Sequence, residues 1–248
     1  MSDPLHQFQV TKILDCSIGT IDISFTKSSL YMVLVTALIC LALHVGTKEK
    51  KLIPSIKQSL CEMVFEFIGK MISGQIGREG MRYVPYIFTL GIFVFGANVI
   101  GLTPYAFTVT SQIIVTFTLA MMVFLGMNIV GFSRHGMEFF KMFCPPGVPA
   151  FVMPIIVPVE FISYLIKPIS LAIRLCANMT AGHIILKMIA AASVFCATSC
   201  PDVLKTLAIG PVAINVLLLG FELFVAILQA YIFTILSCIY LNGVIHLE

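Results

Sequence analysis

The chain has 248 residues, of which 59% are hydrophobic and 11% charged, and it carries a net charge of +3. An ordinary soluble domain is roughly a quarter charged. This composition, with a mean hydropathy of +1.03, therefore excludes a soluble globular protein and predicts an integral membrane protein.

Continuous apolar stretches predict an all-α polytopic membrane protein, because they lack the period-two alternation of barrel strands and are long enough for spanning helices. The prediction is one membrane domain with about five membrane-embedded helices and one interfacial amphipathic helix. The stretches are residues 29–46, 84–104, 109–132, 155–197 and 206–246.

The chain begins with a polar segment, residues 1–27, which is followed by a first predicted span at residues 28–46. Positive charge is concentrated after this span, because seven lysines and arginines lie between residues 48 and 82, against two before it. By the positive-inside rule the connection lies inside. The N-terminus is then predicted to be outside and, after five crossings, the C-terminus inside.

Residues 54–80 are predicted to form an interfacial helix and a loop. Pro54 suits a helix start, and Ile56 and Leu60 face away from Glu62. This separation of apolar and charged side chains is typical of a helix that lies at the membrane surface or against a partner.

Residues 84–133 are predicted to form a helical hairpin with a short turn at residues 103–112. A proline-rich break at residues 144–154 separates this hairpin from the remainder of the chain. The sequence shows no internal repeat, which counts against an inverted-repeat transporter.

The last segment, residues 155–246, is predicted to be a long helical hairpin. A helix over residues 159–197 would be about 58 Å long, nearly twice a hydrocarbon core of about 30 Å, and residues 212–246 would extend about 52 Å. Each helix must therefore tilt steeply, break, or both. We predict a strongly inclined hairpin that turns near residues 199–205.

Arg174 lies deep inside the first of these helices, where an arginine costs about 2.5 to 3.5 kcal/mol to insert. Glu160, Lys167 and Arg174 are spaced by seven residues, which puts them on one face. Ser170 shares the side of Arg174, and its small size favours close approach of another helix. His183 follows nine residues after Arg174 and points to the opposite side.

On the final helix, Glu222 and Gln229 are again seven residues apart and share a face. With His183 they form a possible ladder of titratable and hydrogen-bonding groups, and buried ionisable groups in membranes commonly line ion paths. Structural alternatives stay open. Arg174 could be a structural cation paired with Glu222, and His183 could simply hydrogen-bond a facing helix.

A third alternative concerns the start of the first long helix, where Glu160 and Lys167 could form an ion pair near the inner interface. The eight cysteines are scattered, and the close pair Cys196 and Cys200 lacks the further ligands of a zinc site. No metal or cofactor is predicted.

The segment SLAIRLCANMTAGHIIL, residues 170–186, closely resembles the signature of subunit a of F-type ATP synthases, called subunit 6 in mitochondria. The likeness extends over nearly the whole chain and is of the alphaproteobacterial or mitochondrial type. Further segments carry it: GLTPYAFTVTSQ, residues 101–112, PVEFISYLIKPIS, residues 158–170, and LQAYIFTILSCIYLN, residues 228–242.

The resemblance implies that Arg174 is the essential arginine of the family and faces the rotating ring of c subunits. It implies that Glu160 belongs to the inner access route for protons. Some bacterial relatives have a carboxylate in place of His183 and a histidine in place of Glu222, so this chain has the exchanged arrangement. The polar residues implied to surround Arg174 are Ser170, Asn178, His183, Glu222 and Gln229.

By the same resemblance, the chain is a proton-translocating stator subunit with two half-channels and no catalytic activity of its own. The implied partners are the c-ring, the peripheral stalk subunit b and other membrane-sector subunits, in a bacterial inner membrane or the mitochondrial inner membrane. Protons are the transported ion, and neither a cofactor nor nucleic acid is implied. Two rival interpretations are a secondary transporter or ion channel that uses Arg174 as an anchor, and a structural scaffold.

Overall fold

The computed structural model describes residues 12–14, 17–18, 21–22, 24–48, 54–103, 106–143, 151–199 and 209–246. Two short antiparallel strand pairs precede the helices: β1, Lys12–Leu14, pairs with β4, Phe25–Thr26, and β2, Ser17–Ile18, pairs with β3, Ile21–Asp22. The helices follow as α1, Lys27–Thr47; α2, Ile56–Ile76; α3, Val84–Gly101; α4, Ile113–His135; α5, Met153–Ser199; and α6, Ile209–His246. Short 3₁₀ turns occupy Arg78–Tyr83, Val109–Ser111 and Gly136–Phe143.

Five helical stretches in the described ranges are long and apolar enough to cross a membrane, which confirms the predicted all-α polytopic class. The remaining long helix, α2, is less hydrophobic than these five stretches. The five stretches are Lys27–Thr47, Arg78–Gly101, Ile113–Phe140, Met153–Phe195 and Gly210–His246.

Helix α2 buries only its C-terminal half. Its start is capped by the Ser55 hydroxyl, which accepts from the Gln58 backbone N–H, and it ends at Gly77 with a left-handed φ of 83° that favours glycine. Ile72 is fully buried, whereas Ile56 and Leu60 at the other end are exposed. The buried half packs against α6, where His246 Nε2 lies 3.3 Å from the Ile76 carbonyl oxygen.

Helices α3, α4, α5 and α6 pack together to form the core. Close approach of α3 and α6 depends on Gly91, because a Cβ atom there would lie 2.6 Å from Thr234 Oγ1. Farther along the same contact, Asn98 Nδ2 donates a hydrogen bond to the Ala226 carbonyl oxygen at 3.3 Å. These contacts fix the position of α6, which carries half of the candidate site.

Helices α5 and α6 are the longest elements, with 47 and 38 residues, or about 70 and 57 Å. Helix α5 continues through Pro158 and Pro168 without a break. Both helices exceed a hydrocarbon core of about 30 Å, as expected for an inclined hairpin. A break at either proline is therefore excluded for α5, and its tilt in the membrane stays a prediction.

Candidate functional site

The candidate site lies along the contact between α5 and α6, which run antiparallel. Asn178 of α5 contacts Gln229 of α6, and His183, farther along α5, contacts Glu222, nearer the start of α6. Every polar residue that the sequence analysis selected on α6 therefore meets a selected residue on α5. The sequence had placed Glu222 and Gln229 on one face without identifying their partners.

The first pair is His183 and Glu222. His183 Nδ1 lies 3.8 Å from Glu222 Oε1, and only 10% and 6% of the two side chains are exposed. His183 Nε2 lies 2.8 Å from Thr108 Oγ1, in the connection before α4. Thr108 donates its hydroxyl hydrogen to the Gly101 carbonyl oxygen at 3.3 Å, so Nε2 is the donor to Thr108 and Nδ1 faces the carboxyl group.

This geometry leaves one exchangeable proton position between an imidazole and a carboxyl group. With Nε2 carrying its hydrogen toward Thr108, a proton gained by the pair can reside on Nδ1 or on Glu222. Within the described part of the chain, neither carboxyl oxygen of Glu222 has a hydrogen-bond partner. The pair can therefore accept and release a proton without breaking another contact of the carboxyl group.

Gly182 makes room for this carboxyl group on the surface of α5. A Cβ atom at Gly182 would lie 2.6 Å from Glu222 Oε1 and 3.0 Å from Glu222 Cδ. Any larger residue would push the carboxyl group away from α5. Gly182 was not predicted from the sequence, because the requirement for a glycine arises from the opposing helix.

The second pair joins Asn178 and Gln229 by a hydrogen bond of 2.8 Å, from Asn178 Nδ2 to Gln229 Oε1. Gln229 is 1% exposed, and its Nε2 has no partner among the residues that the structure describes. The pair stands about one and a half turns of α5 from His183 toward Arg174. It thus continues the polar contact along the same interface.

Arg174 is exposed on α5, and its guanidinium makes no hydrogen bond or ion pair to any described residue. Its neighbours Leu171 and Leu175 are buried in the core, which turns the side of α5 that carries Arg174 outward. Glu222 lies against His183 instead, so the alternative of an internal Arg174–Glu222 pair is wrong. The cation is available to a group outside this chain.

The remaining selected residues lie nearer the start of α5. Ser170 and Glu160 are both partly exposed. The structure records no ion pair between Glu160 and Lys167, although both residues are described, so that alternative is also wrong. Instead, the Lys167 ammonium lies over the rings of Tyr164, at 5.4 Å, and Tyr240, at 5.7 Å.

A cavity of about 340 Å³ reaches His183 between the C-terminal part of α5 and the N-terminal part of α6. Its polar lining consists of Thr103, His183, Lys187 and Asn215, and the remainder is aliphatic. Neither Lys187 nor Asn215 was among the residues predicted from the sequence. The cavity gives water a route to the edge of the His183–Glu222 pair.

Comparison with known proteins identifies the family of the chain. The sequence profile of the family described as ATP synthase A chain matches residues 29–242. The chain is 46% identical, over 248 residues, to the protein named ATP synthase subunit a of Chelativorans sp. (strain BNC1), a match that covers 99% of this chain and 98% of that protein. Both findings confirm the resemblance inferred from residues 170–186. The chain therefore belongs to the ATP synthase A chain family.

Proposed function

We propose that this chain is the proton-conducting stator subunit in the membrane sector of an F-type ATP synthase. It provides two offset half-channels and presents Arg174 to the ring of c subunits. The chain is not catalytic alone, since it supplies the proton path while ATP chemistry occurs on other subunits. Family membership and five apolar helices support the membrane-sector assignment.

The observation that carries the proposal is the position of Arg174. An arginine within an apolar helix is costly, yet this one is exposed and makes no hydrogen bond or ion pair to any described residue. A cation in lipid is expected to meet an anion, so its partner belongs to another subunit. The carboxylate of a c subunit has the required charge.

Arg174 would control the charge state of that carboxylate. A rotor carboxyl group must be neutral while it travels through lipid, because an isolated charge there is unfavourable. When it reaches the stator, the permanently charged guanidinium favours the ionised form, and the proton is released. The same cation repels a proton that would pass directly between the two half-channels. Each charge that crosses yields about 2.3 kcal/mol per 100 mV.

The outer half-channel follows from the contacts between α5 and α6. Water in the cavity beside Lys187 delivers a proton to the His183–Glu222 pair, and the amides of Asn178 and Gln229 continue the polar path toward the rotor. The inner half-channel begins near Glu160 and Ser170, on the other side of Arg174 along α5. The His183 end of the path then faces the outside and the Glu160 end faces the inside, with the N-terminus of the chain outside and its C-terminus inside.

The partners follow from the same assignment. They are the c-ring, the peripheral stalk subunit b and the other membrane-sector subunits, within a bacterial inner membrane or the mitochondrial inner membrane. The c-ring is expected to contact the exposed side of α5 that carries Arg174. Ala177, one turn farther along α5, is also exposed and provides a position for testing this contact.

Disulfide cross-linking tests the proposed contact. In a chain whose eight native cysteines are replaced by alanine, Ala177→Cys is expected to cross-link to a cysteine placed beside the c-subunit carboxylate, as detected by non-reducing electrophoresis. Leu41→Cys is the control, since Leu41 is exposed on α1, which packs against α2 and α3. Equal cross-linking from both positions, or none from Ala177→Cys in complexes that retain the c-ring, would contradict the proposal.

Substitution of Gly182 tests the outer path. Gly182→Ala is expected to slow ATP-driven proton pumping severalfold, because the added methyl group displaces the Glu222 carboxyl group from His183, and such overpacking costs about 1 to 3 kcal/mol. The measurement is the pumping rate of inverted vesicles per assembled complex. Gly220→Ala is the matched control on α6, since a Cβ atom there meets nothing within 4 Å. Equal pumping rates for the two variants would show that the His183–Glu222 pair tolerates displacement of the carboxyl group, and would contradict its proposed role in the outer path.

A further inference from the structure

Lys167 occupies an aromatic enclosure between α5 and α6. Its ammonium lies 5.4 Å from the ring centroid of Tyr164 and 5.7 Å from that of Tyr240. Both distances fall in the range in which a ring face attracts a cation. Because one ring belongs to α5 and the other to α6, the position of the ammonium depends on the contact between these helices.

The ring of Tyr164 is itself held in place. Its hydroxyl donates a hydrogen bond of 2.8 Å to Asn128 Oδ1, and Asn128 Nδ2 donates to the Phe124 carbonyl oxygen at 2.7 Å. The ring packs edge-on against Phe143, with centroids 5.5 Å apart, and in a tilted arrangement against Phe124, with centroids 5.0 Å apart. The Lys167 ammonium therefore lies against a ring that is held in place, and this contact restricts the conformations of its flexible side chain.

The enclosure lies on the side of α5 that carries Arg174. Seven residues separate Lys167 from Arg174, so the two cations lie about 10.5 Å apart along the helix and within about 20° of each other around it. Glu160 lies a further seven residues away, and the structure records no ion pair to Lys167 from any described carboxylate. The charge of Lys167 is thus not neutralised by a direct partner within these ranges.

We infer that Lys167 is a second fixed cation of the inner half-channel, and that Tyr164 and Tyr240 are positioning residues that hold its ammonium beside the path. This inference rests on the proposed function and names a residue that acts at the proton-release step. A second positive charge near the inner route favours the ionised form of the arriving rotor carboxylate. It therefore promotes release of the proton to the inside during synthesis and opposes uptake from the inside during pumping.

The charged and titratable groups around Lys167 support this direction. Its own helix contributes Glu160, Tyr164 and Arg174, and α6 contributes Tyr240, while α4 contributes the neutral amide of Asn128. Arg174 adds to the positive potential, and Glu160 is too far along the helix for direct contact. Removing Lys167 should therefore raise the proton affinity of the rotor carboxylate at the inner side.

The experiment is ATP-driven pumping by inverted vesicles, in which the inner side faces the medium, measured against medium pH and divided by the uncoupled ATPase rate at each pH. Lys167→Met is expected to shift the alkaline limb of this profile upward by about half a pH unit, since the carboxylate then takes up protons at lower proton concentration. Lys167→Arg keeps the charge and should retain the wild-type limb. Tyr240→Leu should shift the limb in the same direction, whereas Tyr240→Phe keeps the ring and should not.

Lys70→Met is the control for loss of one positive charge, because Lys70 is exposed on α2 in an ion pair with Glu66. A limb for Lys167→Met that coincides with that of Lys70→Met would overturn the inference. If Lys167→Met complexes lack the c-ring, identical limbs for Tyr240→Leu and Tyr240→Phe would overturn it instead. Arg174→Gln, measured in parallel, tests the proposed function separately: pumping by that variant would defeat the function itself, whatever the limbs show.

Discussion

Replacement of Arg174 by lysine is expected to abolish proton-driven ATP synthesis, with a loss of about a hundredfold or more, as when a preorganised charged donor is removed from a reacting site. Arginine presents a planar group that stays charged at any physiological pH and binds a carboxylate through two parallel hydrogen bonds. Lysine offers a compact, strongly hydrated ammonium that can lose its proton when desolvated. The measurement is ATP synthesis by energised vesicles, per assembled complex.

Arg174→Ala separates this role from a structural one. Arg174 is exposed and makes no hydrogen bond or ion pair within the described ranges, so its removal breaks no such bond and relieves the cost of a charge in lipid. The alanine variant should therefore assemble with the c-ring in normal amounts and yet fail to synthesise ATP. Near-normal synthesis by the lysine variant would defeat the mechanism, and loss of assembly in the alanine variant would favour a structural cation.

The architecture was predictable because the apolar stretches are long and continuous. Length alone required the last two helices to tilt, break, or both, and α5, with its 47 residues, is longer than predicted. The two short strand pairs between Lys12 and Thr26 were not predicted. Strands of two or three residues leave no period that a sequence pattern can reveal.

The partners within the site were less predictable. Helical spacing places Glu222 and Gln229 on one face, but it gives no register against α5, so both Arg174 and His183 were acceptable partners of Glu222. The register arises from the packing of α6 against α3, including the fit of Thr234 on Gly91. Long-range packing of this kind has no local sequence signal.

The contacts of two further residues were also not predictable from the local sequence. Thr108 hydrogen-bonds His183 from an irregular connection, where no periodicity indicates the direction of a side chain. Lys167 was considered as a partner of Glu160, but seven residues along a helix is about 10.5 Å, too far for direct contact in a straight helix. Tyr164, three residues away on the same face, is closer, and this explains the aromatic contact.

Exchange of His183 and Glu222 provides the second large expected effect. His183→Glu alone places two carboxyl groups where the pair now has one, and Glu222→His alone places two imidazoles there. Two like groups at such a short distance shift each other's titration away from the working range. Each single exchange is therefore expected to slow proton pumping by about a hundredfold or more, the lower end of what a positioned acid or base contributes.

The double exchange, His183→Glu with Glu222→His, restores one group of each kind and should recover more activity than either single exchange. Full recovery is not expected, because Thr108 and Gly182 fit the present arrangement: Thr108 accepts from the imidazole, and Gly182 admits the carboxyl group. The measurement is proton pumping by inverted vesicles across a range of pH, with assembly checked by recovery of the c-ring. If the double variant were no better than the worse single one, the two residues would act separately. Asn178 and Gln229, joined by their own hydrogen bond, would then be the better candidates for the lining of the outer path.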